Sequence, residues 1–205
     1  MRLWTWRFAV RILLTQKGSG FVLELTPKPA IDAPDQTIGT VTIAQNTGVA
    51  LASVAARKGQ LAACEKTLNT RLGAVPQVGK AVSGKVETGF WTGAEQWMIS
   101  APEDSHEDLA EQWKRVLGAA ASVTEQSGGW VVFDVSGANM PAMCELLCSV
   151  PIRKMETGDV QRTMIHQLGC FVICCDAGKH IRILGPRASA LSLHHALTAA
   201  ATSVA

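Results

Sequence analysis

The stretch Gly89-Phe-Trp-Thr-Gly-Ala-Glu-Gln-Trp-Met-Ile-Ser100 places two of the six tryptophans around a Gly93-Ala94-Glu95 centre. Apolar residues flank a short polar segment on both sides. This pattern predicts a β-hairpin, with Phe90 and Trp91 on one strand, Trp97 to Ile99 on the next, and Thr92 to Gln96 turning the chain. Opposed aromatic residues stabilise such a hairpin by about 0.2–1 kcal/mol. Tryptophan is also enriched at interface hot spots, so one ring is a candidate for a partner surface.

Working outward from the hairpin, helices and strands alternate. Upstream, residues 39–45 alternate through Val41 and Ile43 and read as a strand, and the apolar run at 48–59 reads as a second. Leu61, Cys64, Leu68 and Leu72 then recur at helical spacing before Gly73. The stretch 74–85 reads as a loop. Downstream, residues 102–118 predict the clearest helix. Asp104 and Glu107 have capping-box spacing, Leu109, Trp113, Val116 and Leu117 form an apolar stripe, and Gly118 ends it. Two strands are expected around Ser127-Gly128-Gly129. A shorter helix follows with Met140, Met143, Cys144 and Leu147, capped by Asn139, with Pro141 in its first turn. Three strands come next, with turns at Gly169 and at Asp176-Ala177-Gly178. The last helix carries Leu193, Ala196, Leu197 and Ala200 on one face.

Strand, helix, strand, strand, helix, strand, and then broadly the same again, is the order of two ferredoxin-like split βαβ units. The expected class is therefore α+β, with the halves meeting near residue 128. The halves do not repeat each other in residues.

Composition narrows the function. The chain has 205 residues, 47% of them apolar and 18% charged, with a net charge of +2. It is long enough to bury a core. The near-balanced, scattered charge argues against nucleic acid as a partner. No apolar run has the length of a membrane span, so no stable insertion is expected. The first 20 residues hold Arg2, Arg7, Arg11 and Lys17 and no acid until Glu24. Arg7 and Arg11 interrupt what would be the apolar core of a signal peptide. Residues 1–20 read as an extension. A basic amphipathic helix on a membrane surface is the alternative. With no export signal and six cysteines, a reducing cytoplasm is the expected location.

No catalytic, cofactor-binding or metal-binding residue is expected in this chain. Cys144 and Cys148 share a helix face, and Cys170 and Cys174 share one side of a strand while Cys175 points to the other. These pairs lack CxxC spacing, and His166 is the one histidine near them in sequence, so buried apolar packing outweighs zinc binding. Cys170 to Cys175, apolar on both faces, reads as an interior strand. His194 and His195 diverge by about 100° on a helix and do not line one site. His180 and Arg182 share one strand face, read as solvated or as meeting another subunit. Asp134, inside an apolar strand, is either a buried acid with a raised pKa or a strand-end residue bonding the turn before Asn139; the second reading is preferred. In residues 79–85, Val86 follows the lysine where a phosphate loop requires Ser or Thr.

The hairpin resembles the W-x-G-x-x-x-W-hydrophobic stretch in the γ subunits of heterotetrameric sarcosine oxidases. Further segments resemble that family in order. They are LELTPKPAID (23–32), VTIAQNTGVALASVAARKGQ (41–60), WVVFDVSGANMPAMCELLCSVPI (130–152) and GDVQRTMIHQLGCFVI (158–173). Ala94 departs from a proline common in the family's turn. The resemblance covers roughly residues 21–202. It implies a γ-like domain over 21–205 and a fold like the folate-binding domain of aminomethyltransferases. It further implies a non-catalytic assembly subunit of a complex that oxidises sarcosine to glycine and releases the one-carbon unit or passes it to tetrahydrofolate. Partners would be chiefly the large α subunit, with the β and δ subunits. FAD, FMN, NAD, zinc and tetrahydrofolate would lie on those other subunits. Related readings are the small subunit of an N-methylglutamate dehydrogenase and an independent folate-binding one-carbon transferase, for which Asp134 is the one candidate pocket acid.

Overall fold

The computed structural model describes residues 28–205. The whole of the expected extension, residues 1–20 with its basic stretch, lies outside the described residues. Strands are β1 (Gln36–Ile38), β2 (Val41–Gln45), β3 (Val49–Ala56), β4 (Ala81–Ser83), β5 (Thr88–Gly93), β6 (Gln96–Pro102), β7 (Ala121–Glu125), β8 (Trp130–Gly137), β9 (Val160–Ile165), β10 (Leu168–Asp176) and β11 (His180–Pro186). Helices are α1 (Leu61–Leu72), α2 (Leu109–Leu117), α3 (Met140–Leu147) and α4 (Ala190–Ser203).

The strands form two antiparallel sheets, β4-β5-β6-β3-β7 and β1-β2-β8-β11-β10-β9. In the first, β3-α1-β5-β6-α2-β7 gives the spatial order β7-β3-β6-β5, a split βαβ unit. In the second, β8-α3-β10-β11-α4 gives β8-β11-β10, and β2 fills the place beside β8. The first sheet carries one extra edge strand, β4 beside β5, and the second carries two, β1 beside β2 and β9 beside β10. The class is α+β, as the element order predicts. The halves thus match in shape without matching in residues.

Strand alternation explains the layers. On β8, Val131, Phe133 and Val135 join the core under α3 and α4, while Val132 faces the other sheet. On β6, Trp97, Ile99 and Ala101 pack under α1 and α2, and Met98 faces the opposite way. Leu51, Phe90 and Met98 of one sheet meet Val132, Phe171, Ile173 and Leu184 of the other. Phe90 and Phe171 pack edge-to-face across this seam at 5.7 Å. Helices therefore cover the two outer faces and the sheets face each other. At one end the seam is stitched by backbone bonds from Ala81 to Gly158 (2.7 Å) and from Val160 to Gly79 (2.8 Å).

The hairpin forms where expected but with a tighter turn than Thr92 to Gln96: Gly93 pairs with Gln96, leaving Ala94-Glu95 between the strands. Trp91 lies directly opposite Trp97, Phe90 opposite Met98, and Glu95 takes a positive φ in the turn. The two rings have different surroundings. Trp97 is buried and its indole donates to the Pro76 carbonyl at 3.0 Å, whereas Trp91 is half-buried.

Five local expectations are corrected. The Asp104–Glu107 capping box does not form. A 3₁₀ turn at Glu103–Ser105 ends with His106 at φ −138°, which breaks helical register, and α2 starts only at Leu109 after Asp108. Val116 is 52% exposed, because Leu109, Ala110, Trp113 and Leu117 make the buried stripe and Val116 falls on its flank. Ala81–Ser83, expected as loop, pairs with Thr88–Phe90 and is a strand through that pairing alone. The turn before β10 falls at His166-Gln167, both at positive φ, and Gly169 lies inside the strand opposite Met164. Asn139 makes no side-chain cap. Its amide donates to the Val204 carbonyl at 2.6 Å, tying the start of α3 to the chain's last turn.

Candidate functional site

The sheets part at one end of the seam and leave a cavity of about 370 Å³. Its walls are Leu51, Phe90, Val132, Ile173 and Leu184. Ser83, Thr88, Ser100 and Thr157 supply hydroxyls. Arg182 is the one charged residue in its lining, and it also reaches a neighbouring hollow bounded by Asn46, Thr88 and Ser100. A third hollow, of about 500 Å³, opens on the far side of Val49, Leu51 and Val132. Lys28, Trp130, Glu103 and Arg187 surround it, and Arg187 donates to the Lys28 carbonyl at 2.8 Å.

Arg182 is held by Asp134, its cross-strand neighbour in the β8–β11 register. The guanidinium donates through Nε to Oδ1 at 2.7 Å and through Nη2 to Oδ2 at 2.9 Å. Asn46, just past β2, adds a 2.8 Å bond to Oδ2, and His180 Nε2 lies 3.4 Å from Oδ1. Burial acts to raise the Asp134 pKa. Hydrogen bonds from Arg182 and Asn46, with the Arg182 and His180 charges, outweigh it and hold the carboxyl below its ordinary value. The same carboxylate raises the Arg182 pKa.

This arrangement corrects both readings of Asp134. The residue is mid-strand rather than at the strand end, and it is a paired carboxylate rather than a neutral acid. It also corrects the solvated reading of His180 and Arg182. Their face is the inter-sheet face, and the Arg182 and Asp134 side chains are only 27% and 22% exposed. Alternation places Arg182 on a polar-looking face, but only the second sheet shows that this face is covered.

The cysteines divide as the strand pattern predicts. Cys144, Cys170 and Cys174 sit in the core under α3 and α4, and Cys175 lies on the opposite face of β10. Burial pushes the Cys144 thiol up to about 12 and those of Cys64, Cys170 and Cys175 up to about 11. These groups are thiols at neutral pH, the form that is poor as a nucleophile. Among the described residues, no group of three or more His, Cys, Asp or Glu side chains is placed to hold a metal. His194 packs 5.8 Å from Phe133, and burial, with the His195 charge, lowers its pKa; His195 points to solvent. His166 occupies the β9–β10 turn.

Glu87 escapes the sequence reading. It is 6% exposed, forms an ion pair with Arg71, and accepts from the Trp113 indole at 3.1 Å. The Arg71 guanidinium sits 4.5 Å over the Trp113 ring. Nothing local marks Glu87 as buried, since its partners come from α1 and α2. The cluster locks the outer face of the first sheet and reaches no cavity between the sheets.

No described helix is long and apolar enough to cross a membrane. No protein-family model matches the chain, and no curated protein matches it. Its fold is shared with solved structures. A chain of the heterotetrameric sarcosine oxidase from Corynebacterium sp. U-96, in complex with pyrrole 2-carboxylate, superposes with a TM-score of 0.67 at 19% identity. The match covers 82% of this chain and 87% of that one. The glycine cleavage system aminomethyltransferase T from Bartonella henselae superposes with a TM-score of 0.59 at 11% identity, over 77% of this chain and 45% of that one. The α+β architecture of two facing antiparallel sheets is thus the fold of this oxidase chain and of part of the transferase.

Proposed function

We propose that this chain is a non-catalytic assembly subunit, γ-like, of a heterotetrameric sarcosine oxidase working in the cytoplasm. The observation that carries this reading is the end-to-end match with one chain of such an oxidase, 82% of one and 87% of the other. An independent folate-binding transferase fits less well, because the chain spans only 45% of the aminomethyltransferase. Its candidate acid is also committed. A pterin presents donors to a carboxylate, and Asp134 already accepts three bonds from Arg182 and Asn46. FAD, FMN, NAD, zinc and tetrahydrofolate would then lie on the α, β and δ partners. A subunit of N-methylglutamate dehydrogenase is the nearest variant of the same reading.

Co-expression with the neighbouring genes tests it, read by size-exclusion chromatography with mass determination. One copy of this chain should co-purify per complex, and the chain alone should neither oxidise sarcosine nor bind flavin or NAD. An obligate interface buries about 2,000 Å² or more, so omitting the chain should lower the yield of the complex. Elution of this chain by itself beside a stable, fully active enzyme made by the others would overturn the assignment.

A further inference from the structure

We propose that the inter-sheet cavity binds a compact monocarboxylate with an apolar body, anchored on the outer edge of Arg182. Four observations combine. The cavity, about 370 Å³, lies within the range of small-molecule sites. Leu51, Phe90, Val132, Ile173 and Leu184 make its walls apolar. Arg182 is the one charged residue lining it; Asp134 balances its charge from outside the lining, so what the cavity offers an anion is the guanidinium's N–H donors. Asp134 engages the guanidinium through Nε and Nη2 alone, and among the described residues Nη1 has no hydrogen-bond partner.

The chemistry follows from the shape of the fork. A guanidinium carries five N–H donors in one plane, and a carboxylate satisfies one edge with two parallel bonds. Asp134 takes the Nε–Nη2 edge and fixes the plane. The Nη1–Nη2 edge remains available, in register for a second carboxylate. A dianion such as phosphate would need further cations, and the lining provides none. Thr88 and Ser100 line both hollows that Arg182 reaches; the Ser100 hydroxyl donates to the Thr88 carbonyl at 3.3 Å and the Thr88 hydroxyl pairs with Ser83 at 3.2 Å, so a ligand oxygen would draw on them only by exchanging these bonds. Apolar walls then select a body that is aromatic or branched. This inference is independent of the assembly role.

The test uses the full chain, alone or within whatever complex it purifies in, with 3-phenylpropionate as the probe and its neutral amide as the control. Titration calorimetry and ligand-observed saturation-transfer NMR should show saturable binding of the acid, with the amide about tenfold weaker, the worth of one charge-assisted fork. The paired variant Asp134→Asn/Arg182→Met removes both charges together and should abolish the preference for acid over amide. Ser100→Phe fills the cavity, leaves the ion pair intact, and should abolish binding of both. Thermal melts establish that each variant is folded, and the acid–amide comparison needs no variant. Absence of saturable binding, equal affinity for acid and amide, acid binding retained in the paired variant, or competition by inorganic phosphate as strong as by the acid would each overturn the proposal.

Discussion

Residues 49–125 build the first split βαβ unit from one unbroken stretch. The second unit takes residues 130–203 and borrows β2 from ahead of the first. In the first, β7 follows α2 directly and closes the sheet beside β3. In the second, the equivalent place beside β8 belongs to β2. Ala205 packs on the turn before β2: a Cβ on Gly39 would lie 2.8 Å from its Cα. The same shape is reached once by local succession and once by joining distant segments. The difference places the second unit's stability in long-range contacts, whose loop closure must be met before they form.

The largest expected effect comes from breaking that borrowed strand. Gly137 ends β8 at φ +119°, and a Cβ there would lie 1.7 Å from the Thr40 carbonyl oxygen. Neither backbone can move without losing the Val41–Gly137 pairing. Gly137→Val should cost about 4 kcal/mol or more, as strain at a special φ and a backbone clash act together. Urea unfolding measures it, and hydrogen exchange should show β2 and β8 losing protection before β3 and β6. Equal loss in both units would show that they unfold as one.

The matching test in the first unit is Trp113→Ala. Trp113 is fully buried and holds Glu87. Its removal should cost about 3–5 kcal/mol by chemical denaturation. Exchange protection should then fall first in α1, α2 and β6.

Smaller effects sharpen the contrast in electrostatics. Glu87→Gln keeps the volume but weakens the ion pair with Arg71, and should cost about 1–3 kcal/mol. Asp134 should show itself through pH. Its folded pKa lies below the unfolded value of about 3.9, so its contribution is present above that pH and is lost as pH falls through the folded pKa. The stability of Asp134→Asn should therefore depend less on pH below about 4 than that of the parent. A parallel pair of curves would show that the carboxylate is not favoured by folding. At the bottom of the scale, Glu145→Ala removes an exposed pair with Arg153, and no change in melting temperature is expected.

Much of the fold was legible before the structure. The hairpin announced itself through Trp91 and Trp97, α1 through Leu61, Cys64, Leu68 and Leu72 with Gly73 behind, and β10 through a run apolar on both faces. These signals are periodicities of single segments, and a segment carries them wherever it is placed. The order of elements then implied two split βαβ units. Sequence alone also separated the cysteines onto the correct faces of β10.

Tertiary structure decided the rest. Ala81–Ser83 is a strand only because Thr88–Phe90 lies beside it. Asn139 serves the chain's last turn rather than its own helix. Gly169 lost the turn to His166-Gln167, a choice set by strand register. Asp134 and Arg182 are 48 residues apart, and their pairing depends on β8 and β11 being neighbours. Whether their face meets water or a second sheet depends on residues 49–102 folding over it. Local pattern is a property of neighbours in sequence, whereas burial, ion pairing and cavities depend on which distant segments end up as neighbours in space.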